Sequence, residues 1–234
     1  MFSKFSYYLI DFCLMLLGGS DYAIYSPLSH DMPMLQAKYD MRADLDLSLI
    51  GATASVAYAF DDHWGIQGAF QGIAFPAERV GGQLAAGWFT PINRNAVLEV
   101  YAGTSVGHGW LSTADLDSYN SPFQSYFIQA DYGWCGLANS HIDIALGLKG
   151  GYLHAKGTFR YLDTNSEYVA SPWSCSGPLL EPTVTFRFGW ERLKFNLNAN
   201  MTFLHEKEKD RITILGRTGL GLNYYFNTKK PKAE

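Results

Sequence analysis

Between Lys194 and Phe203 the chain alternates without a break. Phe195, Leu197, Ala199, Met201 and Phe203 are apolar, and Lys194, Asn196, Asn198, Asn200 and Thr202 between them are polar. A period of two sends successive side chains to opposite faces of an extended backbone, so this stretch predicts a β-strand with one apolar and one polar face. The same pattern recurs from Met41 onward. Met41, Ala43, Leu45 and Leu47 alternate with Arg42, Asp44, Asp46 and Ser48; Ala52, Ala54, Val56, Tyr58 and Phe60 share one side; Trp64, Ile66 and Phe70 oppose Gln67 and Gln71. Leu84 and Trp88 oppose Gln83, and Leu98 and Val100 oppose Glu99 and Tyr101. Further on, Tyr126, Ile128, Tyr132 and Trp134 face away from Gln129 and Asp131, and Ile142, Ile144, Leu146 and Leu148 face away from Asp143 and Lys149. Val184, Phe186, Phe188 and Trp190 oppose Thr185 and Arg187, and Leu220, Leu222, Tyr224 and Phe226 oppose Arg217, Gly219, Gly221 and Asn223.

No helical periodicity of comparable strength follows Pro27. The pattern predicts about ten strands, or eight if the first strand and the brief connection at Gly51 form one bent element; bacterial single-chain barrels have even numbers. Turns at residues 61–63, 91–95, 136–140 and 191–192 are short. The alternate connections include the longest ones, "LSTADLDSYNSP" at 111–122 and "LDTNSEYVASPWSCS" at 162–176, and the charged tip "HEKEKDR" at 205–211. Short turns on one side and long loops on the other are the asymmetry of an outer-membrane barrel with periplasmic termini. A soluble sandwich would have to bury Arg42, Asp44 and Asp46, or else expose whole rows of Leu, Phe and Trp. A membrane barrel gives both faces suitable surroundings. The expectation is an all-β, antiparallel up-and-down transmembrane β-barrel with its apolar face outside.

Composition is consistent with this. Of 234 residues, 47% are hydrophobic and 15% aromatic but only 17% charged, against about 25% charged in soluble domains. A mean hydropathy of -0.08 argues against a bundle of transmembrane helices and leaves room for transmembrane strands with polar inner faces. The net charge of -4 and the sequence pI near 5.8 argue against a nucleic-acid partner. No domain boundary is visible between residues 38 and 226, which are assigned to the barrel. "LIDFCLMLLGGS", Leu9 to Ser20, has the length of a signal-peptide core, so residues 1–20 are read as a signal-peptide-like segment, 21–37 as a periplasmic lead-in and 227–234 as a polar tail. "LGGS" is similar to a lipoprotein box with serine in place of cysteine, and Ser20 cannot form the thioether.

Chemistry is expected in the lumen and the outer loops. Inward positions collect Arg42, Asp44, Asp46, Glu99, Asp131, Asp143, Lys149, Arg187 and Arg217, mixed in sign. Isolated buried charge is costly, so these residues are predicted to pair as an ion network filling a narrow barrel. The sharper alternative gives some of these carboxylates acid-base work or a solute path. Trp173, Tyr119 and Tyr168 in the long loops are the candidates for contact with a protein or glycan partner. No catalytic set, metal site or cofactor site is recognised. Cys135 and Cys175 fall at opposite ends of the barrel, about 25 Å of apolar band apart, so no bridge between them is expected.

Two stretches add a resemblance. "GLGLNYYF", Gly219 to Phe226, is similar to the C-terminal targeting signal of bacterial outer-membrane proteins, here followed by "NTKKPKAE". "AIYSPLSHDMPMLQ", "RADLDLSL" and "ASVAYAFDDHWGIQ", within about residues 23–70, resemble small lipoprotein-like outer-membrane β-barrel proteins of Bacteroidetes-type bacteria. That resemblance implies an outer-membrane location, with lipid as the surrounding partner, and no particular activity. The functional expectation is a small barrel with a charged, filled lumen and a structural or interaction role through its outer loops. The alternatives are a narrow solute channel or carrier and a lipid-modifying enzyme. The rival at the level of fold is a soluble ligand-binding barrel.

Overall fold

The computed structural model describes residues 30–48, 51–73, 78–112, 118–162 and 168–226. The signal-like segment and the polar tail lie outside these residues. Ten strands follow one another: β1 (Met41–Leu47), β2 (Gly51–Ala59), β3 (Trp64–Ile73), β4 (Glu78–Asn93), β5 (Ala96–Ser112), β6 (Ser118–Gly136), β7 (Ile142–Leu162), β8 (Tyr168–Gly189), β9 (Leu193–Glu206) and β10 (Arg211–Tyr225). Each strand pairs with its neighbours in sequence, and β1 closes antiparallel on β10 from Arg42↔Tyr225 to Leu47↔Leu220. β1 and β2 pair as separate strands from Met41↔Tyr58 to Leu47↔Ala52, which settles ten over eight.

The apolar face is outside. Leu84 and Ile128 are 63% exposed and Leu220 67%, whereas Arg187, Glu99 and Lys149 on the inner face are 1%, 0% and 2% exposed. Closure gives every strand a hydrogen-bonded neighbour on both sides, as a wall surrounded by hydrocarbon requires. The outward apolar rows also have an upper limit. On β6 they run from Trp134 to Tyr126 and give way to Gln124, Pro122 and Asn120; on β7 they run from Ile142 to Tyr152 and give way to His154 and Lys156. At about 3.3 Å per residue and a tilt of about 40°, the β6 row is roughly 20 Å tall, close to the thickness of a bilayer's apolar band.

The wall is uneven. β1, β2 and β3 have 7, 9 and 10 residues, and β6, β7 and β8 have 19, 21 and 22. The long loops expected at 111–122 and 162–176 are therefore corrected. β5 and β6 stay paired as far as Ser112↔Ser118, and β7 and β8 as far as Leu162↔Tyr168. Proline, serine and glycine in "SPWSCSGP" suggest a loop, but the geometry accommodates them. The N–H and C=O of Ser176 point away from β7, toward Glu208 and Lys207, and Pro172 and Pro178 share that parity. Above Leu179↔Leu204 no β9 pairing is made, so a missing proline N–H there breaks no ladder bond.

The opposite end carries tight turns, as expected. Residues 60–63 join β2 to β3, with Phe60 N–H donating to Trp64 C=O at 3.1 Å, and Trp190 N–H donates to Leu193 C=O at 2.8 Å between β8 and β9. β4 reaches Asn93, shortening the 91–95 turn. Between β6 and β7 lies the single turn Leu137–Ser140; Gly136, which precedes it, takes a left-handed φ of 68°, and Ala138 and Asn139 within it take 49° and 60°.

Candidate functional site

The inner face of the barrel is filled on three levels, from the turn end upward. At the turn end the filling is the chain itself. Of residues 21–37, expected as a periplasmic lead-in, 21–29 lie outside the described residues, while His30, Asp31, Met32, Met34 and Leu35 lie inside the barrel and not below it, none more than 7% exposed. A turn at Ala37–Asp40 directs the chain there: the Asp40 carboxylate accepts from Gln36 N–H at 2.9 Å and Ala37 N–H at 3.0 Å, and Tyr39 takes a φ of 70°. Glu99 grips the segment from β5. Its Oε2 and Oε1 accept the N–H groups of Met34 and Leu35, each at 2.8 Å. Met34 has a left-handed φ of 54°, and such a residue turns successive N–H groups to one side, forming a nest for an anion. Asp131 meets His30 Nε2 at 2.7 Å, Gln129 donates to Asp31 C=O at 2.8 Å, and Arg187 lies 3.7 Å from the Asp31 carboxylate. Met32, Met34 and Leu35 pack with Ala57, Ala59, Phe89, Val97, Cys135 and Ala145.

Charge flanks this segment from the turn end, where Asp143 also accepts from Gly136 N–H at 2.8 Å, up to the middle of the wall. Lys194 reaches Asp143 at 2.6 Å, and Arg42 lies 3.8 Å from the same carboxylate while stacking over Tyr225 at 4.7 Å. Asp44 lies 3.5 Å from Arg187 and accepts from Asn223 at 2.8 Å, and Asp46 accepts from Asn196 at 3.0 Å. Lys149 meets Glu181 at 2.5 Å with both side chains essentially sealed, and Thr202 donates to Glu181 at 2.9 Å. Arg217 bonds Gln71 and Thr53. The inward charges read from the sequence thus all point into the barrel, but in several groups. Glu99 and Asp131 hold the N-terminal segment, Asp143 pairs with Arg42 and Lys194, and Asp44 pairs with Arg187. Lys149 stands apart with Glu181.

Sequence reasoning missed His30, Asp31, Glu181 and Lys194. Lys194 was visible as the first polar position of the alternating stretch, and "HDMPML" is a compact polar-then-apolar run just ahead of a strand. Glu181 lies beside Pro182, which interrupts the β8–β9 ladder and hides the parity.

The upper level is apolar. Phe123, Leu153, Ala155, Cys175, Leu179, Leu204 and Leu215 form a buried cluster, and Trp173 packs against it from within β8. Trp173 is thus a strand residue, not the loop residue expected. Tyr119 and Tyr168 lie near the tops of β6 and β8, opposite Leu111 and Leu162, with side chains outside the description. Cys135 and Cys175 are free thiols in the lower and upper clusters respectively. Outside the rim, the turn between β9 and β10 docks on the free edge of β8. Glu208 accepts from Ser176 N–H at 2.9 Å and Ser176 Oγ at 2.7 Å, and these bonds hold its carboxyl below the usual range. Lys207 lies over the Tyr152 ring at 5.1 Å. Among the described residues, no group of three or more His, Cys, Asp or Glu could hold a metal ion.

No protein-family model matches this chain, and no curated protein matches it. Solved structures do. The outer membrane protease OmpT from Escherichia coli is similar with a TM-score of 0.55 at 8% identity, over 80% of this chain and 93% of that one. The chain has the fold of an outer-membrane β-barrel. At that identity the likeness is one of fold alone, and the proteolytic activity is a property of OmpT. The KdgM porin (12% identity, 80% and 99% coverage, TM-score 0.35) and Ail, the attachment invasion locus protein of Yersinia pestis (14%, 80% and 94%, 0.34), are similar at a lower level.

Proposed function

We propose that this barrel resides in the outer membrane of a Gram-negative bacterium, its turn end in the periplasm and its tall wall β5–β8 outside the cell. There it acts as a non-conducting structural or interaction protein. The observation that carries this reading is the pairing of a lumen filled on three levels with a wall that continues, polar on its outward side, beyond the apolar band. A conducting barrel needs an open, water-filled lumen. Open aqueous pores also use around sixteen strands, and this barrel has ten. The resemblance of residues 23–70 to Bacteroidetes-type barrels and the outer-membrane fold support the location. The partner is a protein or glycan that reaches β6–β8 above the lipid, where the outward row is Gln124, Asn120, His154, Lys156, Ser174 and Ser176.

Cysteine labelling on intact cells tests this placement. Lys156→Cys should react with a membrane-impermeant maleimide, and Leu148→Cys, four outward positions lower and against lipid, should not. Reaction at position 148 but not at 156 would reject the orientation. In planar bilayers the purified protein should give no conductance steps; regular steps would transfer the assignment to a channel or carrier.

A further inference from the structure

His30–Leu35 is held as a ligand is held. Residues 30–36 belong to no strand, so the segment is fixed by side chains of the barrel and not by a ladder. The barrel wall is cut away to receive it. A Cβ at Gly133 would lie 2.6 Å from Met34 Sδ, one at Gly147 would lie 2.8 Å from His30 Nε2 and Met32 Sδ, and one at Gly65 would lie 2.8 Å from Leu35 Cδ1. Together the three seats accept His30, Met32, Met34 and Leu35. Recognition is also divided as in peptide binding: Glu99 and Gln129 read the backbone at 2.8 Å each, and Asp131 and Arg187 read the first two side chains.

We propose that the turn-end half of the lumen is a peptide-binding site, occupied in cis by His30–Leu35, which leaves and returns to it. The ligand class is a peptide bent at its fifth position, with a hydrogen-bonding ring or cation first, an acid second, and apolar residues at the third, fifth and sixth positions. The inference is independent of the role given to the outer wall. Tethering sets the conditions of exchange. Gln36 alone separates the segment from the turn at Ala37–Asp40, which keeps it at an effective concentration of about millimolar or above, so a free competitor must be supplied at millimolar levels or higher. Two features favour release. Met34 is held in a left-handed φ against the Glu99 grip, and the turn at Ala37–Asp40 is closed by hydrogen bonds of its own that use no group of the seat.

The test exploits Cys135, whose Sγ lies 3.6 Å from Met34 Sδ. The full chain carrying Met34→Cys with Cys13→Ser and Cys175→Ser is purified, its folding checked by the mobility of the unboiled protein. A mild oxidant should then join position 34 to Cys135. A synthetic peptide of residues 28–40, LSHDMPMLQAKYD, at several millimolar should slow the initial rate of this cross-link at least twofold, and a scrambled peptide should not. Glu99→Gln in the same background should slow the cross-link further and speed maleimide labelling at position 34 several-fold. An unchanged rate with the matched peptide, together with no labelling at position 34 with or without Glu99→Gln, would overturn the proposal and make the segment a fixed part of the core. Failure of the cross-link itself in folded protein would overturn the seat.

Discussion

Lys149 and Glu181 illustrate what turning a charged face inward demands of single residues. Neither side chain exceeds 2% exposure, so each depends on the other for compensation. Lys149→Met leaves a sealed carboxylate and should cost about 3 kcal/mol or more in denaturant unfolding, while Lys149→Met with Glu181→Leu should recover most of the loss. Recovery absent from the double variant would mean that the pair is not an isolated unit. Glu208 is the contrasting case at the surface. Its carboxyl is lowered from 4.5 by the Ser176 bonds, so the anchoring it gives is complete above that value and lost as pH falls through the lowered one. Protection of the Ser176 amide, its exchange rate relative to an unstructured peptide at the same pH, should fall in acid, and Glu208→Gln should show the same loss of protection at neutral pH. Alternation along the sequence identified which residues face inward, but not their partners. Arg217 meets Gln71 and Thr53 only because the sheet closes, and closure is set by stagger around the whole barrel, which no single strand encodes.

Strands were the most legible elements, since each carries its own two-faced pattern. Their upper ends were not. β8 carries Pro172 and Pro178 on an unpaired edge, where proline is tolerated, so a composition typical of loops continues as strand. The outward row of β6 gives an element-scale prediction. Ile128→Arg lies within the apolar band and should destabilise the folded barrel by about 2–4 kcal/mol in lipid vesicles, whereas Gln124→Arg, two outward positions higher, should cost about 1 kcal/mol or less. Equal effects would mean that the band ends elsewhere. The N-terminal segment was illegible as an element because it is not one. It has no period, and its structure comes from Glu99, Asp131 and Arg187 on distant strands.

For the whole molecule, the central claim is that polar and apolar surfaces are inverted relative to a soluble domain: charge and amides inside, Leu, Phe and Trp outside. That inversion accounts for the low charged fraction, the alternation, the ion pairs buried across the lumen and the limited height of the apolar band. It also sets the uneven wall beyond one edge of the apolar band and the tight turns at the other. The most direct test is electrophoresis of the isolated outer-membrane fraction, boiled against unboiled, with immunodetection of this chain. A closed barrel in that membrane should be found in the fraction and run at a different mobility until boiled. A chain recovered from the periplasm without detergent, with the same mobility before and after boiling, would contradict the account and exchange inside for outside in every strand.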